Sequence, residues 1–216
     1  MLKHFEKLPG AEKQKIIGVC REEFADKGYL RASTNAMVDG AGIPKGTLFY
    51  FFGSKKKLFL YLVDAAVEAY SDFVYQNSGD LPAELFARIF YMVEVRMRFA
   101  AEEPGWYRFL AKALLDIPEG LQQEMETRFA AYGEANQQLM RTGVDTSRLR
   151  TGVTLERVLE VIAMLQEGML ARYTQQLKTM EADETLAFVE AIKAATRQQF
   201  ELLKYGVYRS DQSGLS

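Results

Sequence analysis

The chain has 216 residues, 48% hydrophobic and 26% charged, enough to bury a sizeable core and too apolar for a disordered segment. One cysteine, Cys20, excludes an intrachain disulfide and a multi-cysteine zinc site. One histidine, His4, near an end expected to be mobile, argues against a His-based metal centre or a Ser-His-Asp triad, so neither metal nor cofactor is expected. The formal net charge of −2 speaks against a nucleic-acid partner until its distribution is seen. Met1 to Lys57 carries 11 Lys and Arg against 6 Asp and Glu, net +5, and the remainder 16 against 23, net −7. A basic end on an acidic body suits one part that meets phosphate and another that does not.

Met1 to Gly10 is charged and lacks an apolar centre, so no signal peptide is expected. The apolar runs LFYFF and LFLYLV are far too short to span a bilayer, and a soluble cytoplasmic protein without a membrane partner is expected. From Glu12 to Lys27, Ile16, Ile17, Cys20 and Phe24 recur at helical spacing, with Gly28 as C-cap. Cys20 then belongs to the core rather than to thiol chemistry.

The stretch from Ser33 to Leu58, STNAMVDGAGIPKGTLFYFFGSKKKL, organises the rest. Ser33 is an N-cap for a short helix with Met37, Val38 and Ala41 on its apolar face. Gly42 sits where the chain turns, and Ile43 fills the angle. Pro44 suits the first position of a second helix, Pro44 to Phe52. Leu48, Phe49 and Phe52 are expected in the core, with Lys45, Thr47 and Tyr50 facing outward. Gly53 and Ser54 break that helix, and Ser54 caps a long third one that opens with Lys55, Lys56 and Lys57. Two short helices about a glycine turn, the second with a polar outer face, form the helix-turn-helix pattern.

GYLRAST followed by AGIPKGTLFYFFGSKKKL resembles the TetR family of bacterial transcriptional regulators over Ile16 to Leu62. The spacing, the turn glycine, the aromatic run and the lysine all agree with the family pattern. By position, the resemblance implies that Asn35 and Lys45 meet base edges, that Gly46 lets the backbone approach, and that Ser33, Thr34, Thr47, Tyr50 and Lys55 touch phosphates. The chain departs from the pattern at Phe49 and Phe51, where tyrosines are common, and at Pro44, where a small polar residue is usual. Two phenolic hydroxyls and one cap or phosphate contact are thereby removed from the expected interface.

Leu58, Leu62, Ala66, Tyr70 and Phe73 stripe the long helix, which NSGDLP (77–82) ends. The body reads as helices near Pro82–Ala101, Trp106–Leu115, Glu119–Arg141, Leu155–Thr179 and Thr185–Tyr205. The expected fold is all-α with about nine helices. A helix-turn-helix domain occupies 1–57, a helical effector-binding and dimerisation domain 58–205, and a disordered tail 206–216. In the last two helices, Val158, Ile162, Leu165 and Met169 stripe one, and Val189, Ile192, Thr196 and Leu203 the other. The resemblance implies that this pair forms a four-helix bundle with a second copy, the alternative being packing inside one chain. A homodimer would set two recognition helices about 34–36 Å apart on double-stranded DNA with a palindromic operator.

The resemblance further implies a repressor released when a small hydrophobic effector binds the body. Leu85, Ile89, Met92, Arg96 and Phe99 share one stripe, followed by Trp106 and Tyr107, then Met125, Phe129 and Tyr132, then Met164, Met169, Arg172 and Tyr173. Of these, Met92, Arg96, Phe99, Trp106, Tyr107, Met125, Phe129 and Met164 are the candidate ligand contacts. Aromatic and Met side chains make an adaptable apolar pocket, in which Arg96 would favour an anionic effector, the alternative being a flat aromatic or cationic molecule stacked on Trp106 or Tyr107. The same stripes also suit a plain helical core. An all-helical lipid carrier or enzyme that retains the motif is the alternative, but no nucleophile–base pair or phosphate-cradling loop supports catalysis.

Overall fold

The structure is a computed structural model that describes residues 2–79, 81–177 and 182–207, leaving out the side chains of 131–132, 166–167, 169–177 and 182–193. The expectations for Tyr132, Met169, Arg172, Tyr173, Val189, Ile192 and positions 208–216 lie outside the described residues.

Every element among the described residues is a helix. They are α1 (Leu2–Phe5), α2 (Gly10–Arg31), α3 (Thr34–Ala41), α4 (Thr47–Phe52), α5 (Lys55–Gln76), α6 (Leu85–Glu102), α7 (Pro104–Leu115), α8 (Gln122–Arg141), α9 (Leu155–Leu177) and α10 (Ala182–Val207). The all-α expectation holds, with α1 as an element that the pattern of apolar spacing did not show. No helix among the described residues is long and apolar enough to cross a membrane.

The helices form two compact units, one of residues 1–80 and 93–138, the other of 81–92 and 139–216. In the first, α2 supplies Ile16, Cys20 and Phe24 to a core shared with Met37 and Val38 of α3 and Leu48, Phe51 and Phe52 of α4. Leu58, Phe59, Leu62, Val63 and Ala66 of α5, Phe109 of α7 and Met125 of α8 complete it. Cys20 is fully buried there, and burial pushes its thiol up to about 12. The helical path breaks at Gly28, as its C-cap reading requires. Its φ of 70° is one that a side chain rarely adopts. A Cβ at Gly28 would also lie 3.1 Å from both Asp116 Oδ2 and Lys112 Cε at the end of α7.

Contacts between α2 and α7 carry much of this unit. The Arg21 guanidinium lies 4.8 Å from the centre of the Trp106 ring. Arg108 pairs with Glu22 at 3.1 Å and also with Asp26. Phe109 packs edge-on against Phe59 with ring centres 5.7 Å apart. Helix α8 is tied to α5 by Arg128 to Asp64 at 2.8 Å and by Lys56 to Glu124.

The second unit buries Leu85, Phe86, Ile89, Leu149, Val158, Ile162 and Phe200. Arg88 is buried among them. Its guanidinium donates to the carbonyls of Pro82 (2.7 Å), Leu139 (2.8 Å), Thr142 (2.6 Å) and Gly143 (3.4 Å). It thus satisfies carbonyls that the end of α8 leaves without intrahelical partners. Val158 and Ile162, expected on a face toward a second copy, belong instead to this unit's own core. The apolar face that α9 leaves exposed is turned from theirs and carries Val161 and Met164.

Candidate DNA-binding surface

Local capping chemistry sets the frame. Ser33 has extended backbone, and its hydroxyl accepts from the Ala36 N–H at 3.3 Å, which starts α3. The Ser33 N–H itself donates to the Glu23 carboxylate at 2.8 Å, fixing the α2–α3 junction. At the other end, Gly42 is left-handed (φ 71°, ψ 33°), and the Ile43 N–H donates back to the Val38 carbonyl at 3.1 Å. Ser54 repeats the Ser33 device, accepting from the Lys57 N–H at 3.1 Å to start α5.

The second helix of the motif begins later than Pro44. Pro44 to Gly46 form a turn, closed by the Thr47 N–H on the Pro44 carbonyl at 2.9 Å, and α4 runs only from Thr47 to Phe52. Its faces also differ from the expected assignment. Phe49 is 46% exposed and Phe51 only 6%. Leu48, Phe51 and Phe52 form the buried set, because Phe5 of α1 packs on both phenylalanines, 5.5 Å from Phe51 and 4.8 Å from Phe52 between ring centres. A hydroxyl at position 51 would therefore be buried. Only Phe49 bears on the outer surface.

Lys45, Gly46 and Tyr50 are exposed and Thr47 is half-buried along one surface, with Asn35 exposed and Thr34 half-buried at the start of α3. A Cβ at Gly46 would meet nothing within 4 Å, so this side of the turn is open. Lys55 is more committed. Its ammonium donates to the Leu30 carbonyl at 3.2 Å and lies 5.1 Å from the Tyr29 ring centre. Partial burial pushes its pKa down, and the Glu23 carboxylate works against that shift. Two of its three N–H groups are not taken by Leu30. Among its neighbours, Lys56 is paired with Glu124 and Lys57 is exposed.

His4 was missed as part of this surface. Its imidazole is exposed and lies tilted against the exposed Tyr50 ring, with centres 5.2 Å apart and an angle of 37° between the planes. The end that carries it is held in place: Phe5 is fully buried, and Glu6 accepts from Tyr61 Oη at 3.1 Å and pairs with Lys13 at 3.3 Å. Burial, then Glu6, pushes the Tyr61 phenol up to about 12. The available signal was Phe5 and Leu8, two apolar residues one turn apart in a charged stretch.

The candidate ligand contacts do not fall into one group. Arg96, Phe99, Trp106, Tyr107, Met125 and Phe129 belong to the first unit, Met92 and Met164 to the second. Phe99 and Met125 are fully buried core residues, Phe99 against Tyr70 (4.9 Å) and Phe73 (5.4 Å). Trp106, Tyr107 and Phe129 are half-buried against the same core, and Met92 is half-buried. Arg96 does not interrupt a buried stripe, because Val95 takes the buried position next to it and Arg96 is exposed. Met164 is 60% exposed.

Residues 16–62 match the family described as bacterial regulatory proteins, tetR family. Over 188 residues the chain is 27% identical to the HTH-type transcriptional repressor AcnR of Corynebacterium efficiens, covering 84% of this chain and 92% of that one. A TetR family transcriptional regulator from Chloroflexus aurantiacus has a similar fold, with a TM-score of 0.69 at 21% identity over 96% of this chain and 98% of that one. So does FadR of Bacillus subtilis in complex with stearoyl-CoA, with a TM-score of 0.56 at 14% identity over 88% and 96%.

Proposed function

We propose, from the match of residues 16–62 to the tetR family of bacterial regulatory proteins and the likeness to the repressor AcnR, that the chain is a TetR-family DNA-binding regulator, a homodimeric repressor of a palindromic operator released when a small hydrophobic molecule binds its helical body. The observation that carries this is the outer face of the motif. Asn35, Lys45, Gly46 and Tyr50 are exposed, and Ser33, Thr34, Thr47 and Lys55 flank them. Asn35 and Lys45 would read base edges, since an amide matches adenine and an ammonium matches guanine. The hydroxyls of Ser33, Thr34, Thr47 and Tyr50 and the free N–H groups of Lys55 would hold phosphates.

Dimerisation is supported by apolar residues that one chain leaves in water. Val161, Met164 and Gly168 follow helical spacing on α9, and Leu202 and Tyr205 on α10 are 74% and 79% exposed. A second copy would cover both rows, and Gly168, with open space where a Cβ would stand, would let its helix come close.

Effector coupling is supported by the packing of α7. Trp106 and Tyr107 lie on the helix whose Arg108 is paired to α2 and whose Trp106 is stacked on Arg21. A molecule that shifted α7 would therefore act on the helix that braces the motif. The fatty acyl ligand of the similarly folded FadR is in keeping with a hydrophobic effector here. It would release the repressor only to the extent that it prefers the form that fits DNA poorly.

The test is selection of duplexes from a random-sequence library, followed by titration of the enriched duplex. Enrichment of an inverted repeat bound by two chains is the expected result. Enrichment of nothing overturns the operator-binding proposal. Mass spectrometry of the purified protein then checks for a co-purified acyl or aromatic molecule, and the identified compound should weaken binding to the selected duplex.

A further inference from the structure

The end of the chain that precedes α2 is built onto the motif. Phe5 fills a ring of Phe51, Phe52 and Tyr61, with ring centres 5.5, 4.8 and 5.8 Å away. Glu6 is held from the other side by Tyr61 and Lys13. The Glu6 N–H donates to the Leu2 carbonyl at 2.9 Å, closing the single turn of α1. These contacts fix His4 relative to α4, and they place its imidazole on the outward ring of Tyr50. The two rings meet at a tilt of 37°, and both residues remain exposed.

Resting on the DNA-binding reading, we propose that His4 is a further DNA-contacting residue, donating a ring N–H to a phosphate oxygen beside the one met by Tyr50. An imidazole carries at least one N–H donor in either protonation state, so the contact does not require the charged form. Phe5 is the positioning residue for this contact. It brings His4 to the surface formed by α4, and it also holds α4 through Phe51 and Phe52.

The experiment uses the full chain and a duplex that the wild-type protein selects from a random-sequence library. Affinity is measured by fluorescence anisotropy at fixed salt and pH, and phosphate contacts are mapped by ethylation interference. His4→Ala should weaken binding roughly three- to tenfold, the scale of one hydrogen bond to a charged group without its full desolvation cost. His4→Gln, whose amide can also donate, should keep most of the affinity. One phosphate whose ethylation blocks the wild-type protein should lose its effect in His4→Ala and keep it in His4→Gln. Wild-type affinity in His4→Ala, alongside weakened binding by Lys45→Ala, would overturn the proposal while leaving DNA binding intact. Weakened binding with an unchanged interference map would also overturn it, since His4 would then act only by orienting Tyr50. Failure of the wild-type protein to select any duplex would overturn the DNA-binding reading and this proposal with it.

Discussion

The Phe5 ring stands 4.8 Å from the Phe52 ring between centres, joining a one-turn helix at the start of the chain to the last residue of α4. Phe5 is fully buried, so Phe5→Ala should destabilise the first unit by about 3–5 kcal/mol, the usual range for removing a core phenylalanine. Phe5→Leu, which keeps most of the volume, should cost less, about 1–2 kcal/mol. Urea unfolding followed by fluorescence and by circular dichroism reads both. A midpoint unchanged in Phe5→Ala would mean that α1 does not stay docked in solution.

Lys45 lies exposed in the turn just before α4. Lys45→Ala should therefore leave the unfolding midpoint unchanged. Its effect should fall on DNA, with a loss of about 1–3 kcal/mol for a base-edge contact, or roughly 5- to 150-fold in affinity. A gel-shift titration of the selected duplex at fixed salt measures it, and unchanged affinity would remove Lys45 from the interface. For the wild-type protein, log affinity should fall linearly with log salt as counterions are released from phosphate.

What could be read in advance follows the range of each interaction. Ser33, Gly42 and Ser54 cap or turn the chain through hydrogen bonds to residues within four or five positions, and their geometry matches the expectation. The faces of α4 are another matter. Leu48 with Phe49 and Phe52, or Leu48 with Phe51 and Phe52, fit one side of a six-residue helix almost equally well. Phe5 decides between them from more than forty residues away in sequence, and one turn of helix has no periodicity to announce it. The α6 stripe departs from expectation at Arg96 for a related reason: Leu85, Ile89 and Phe99 are buried, but Val95 takes the buried place beside Arg96, and adjacent residues are separated only by what packs against them. The DNA-contact positions came from the resemblance. The structure adds that Lys55 and Lys56 are partly engaged by Leu30, Tyr29 and Glu124, which the run of lysines could not show.

Cys20 offers a pH-dependent test of the α2 core. Its thiol is pushed from 9.0 to about 12 by burial, so between those values the folded state keeps a proton that the unfolded state loses. A raised pKa means stability fully present below pH 9 and lost as pH rises through the folded value. Over three pH units this amounts to roughly 4 kcal/mol as an order of magnitude. Cys20→Ala should flatten that part of the alkaline stability curve, although the raised phenol of Tyr61 leaves a residual slope above its ordinary 10.0. At neutral pH a thiol reagent should label native Cys20 only as fast as the protein opens, and rapid native labelling would contradict its burial.

Leu202 and Tyr205 on α10 test the proposed dimer. They are far more exposed than their size favours, and burying two such side chains across a symmetric interface would contribute several times about 1.5–3 kcal/mol, because each appears twice. Leu202→Glu together with Tyr205→Glu should leave each chain folded, since neither residue contributes to the core around Phe200. The four carboxylates thus placed at a two-fold interface would repel one another and lose solvation. Sedimentation velocity should show a dimer for the wild-type protein and a monomer for this variant. Affinity for the inverted repeat should fall steeply in the same variant, because each chain would bind its half-site alone. A double variant that still sediments as a dimer would place the interface on another face of the chain.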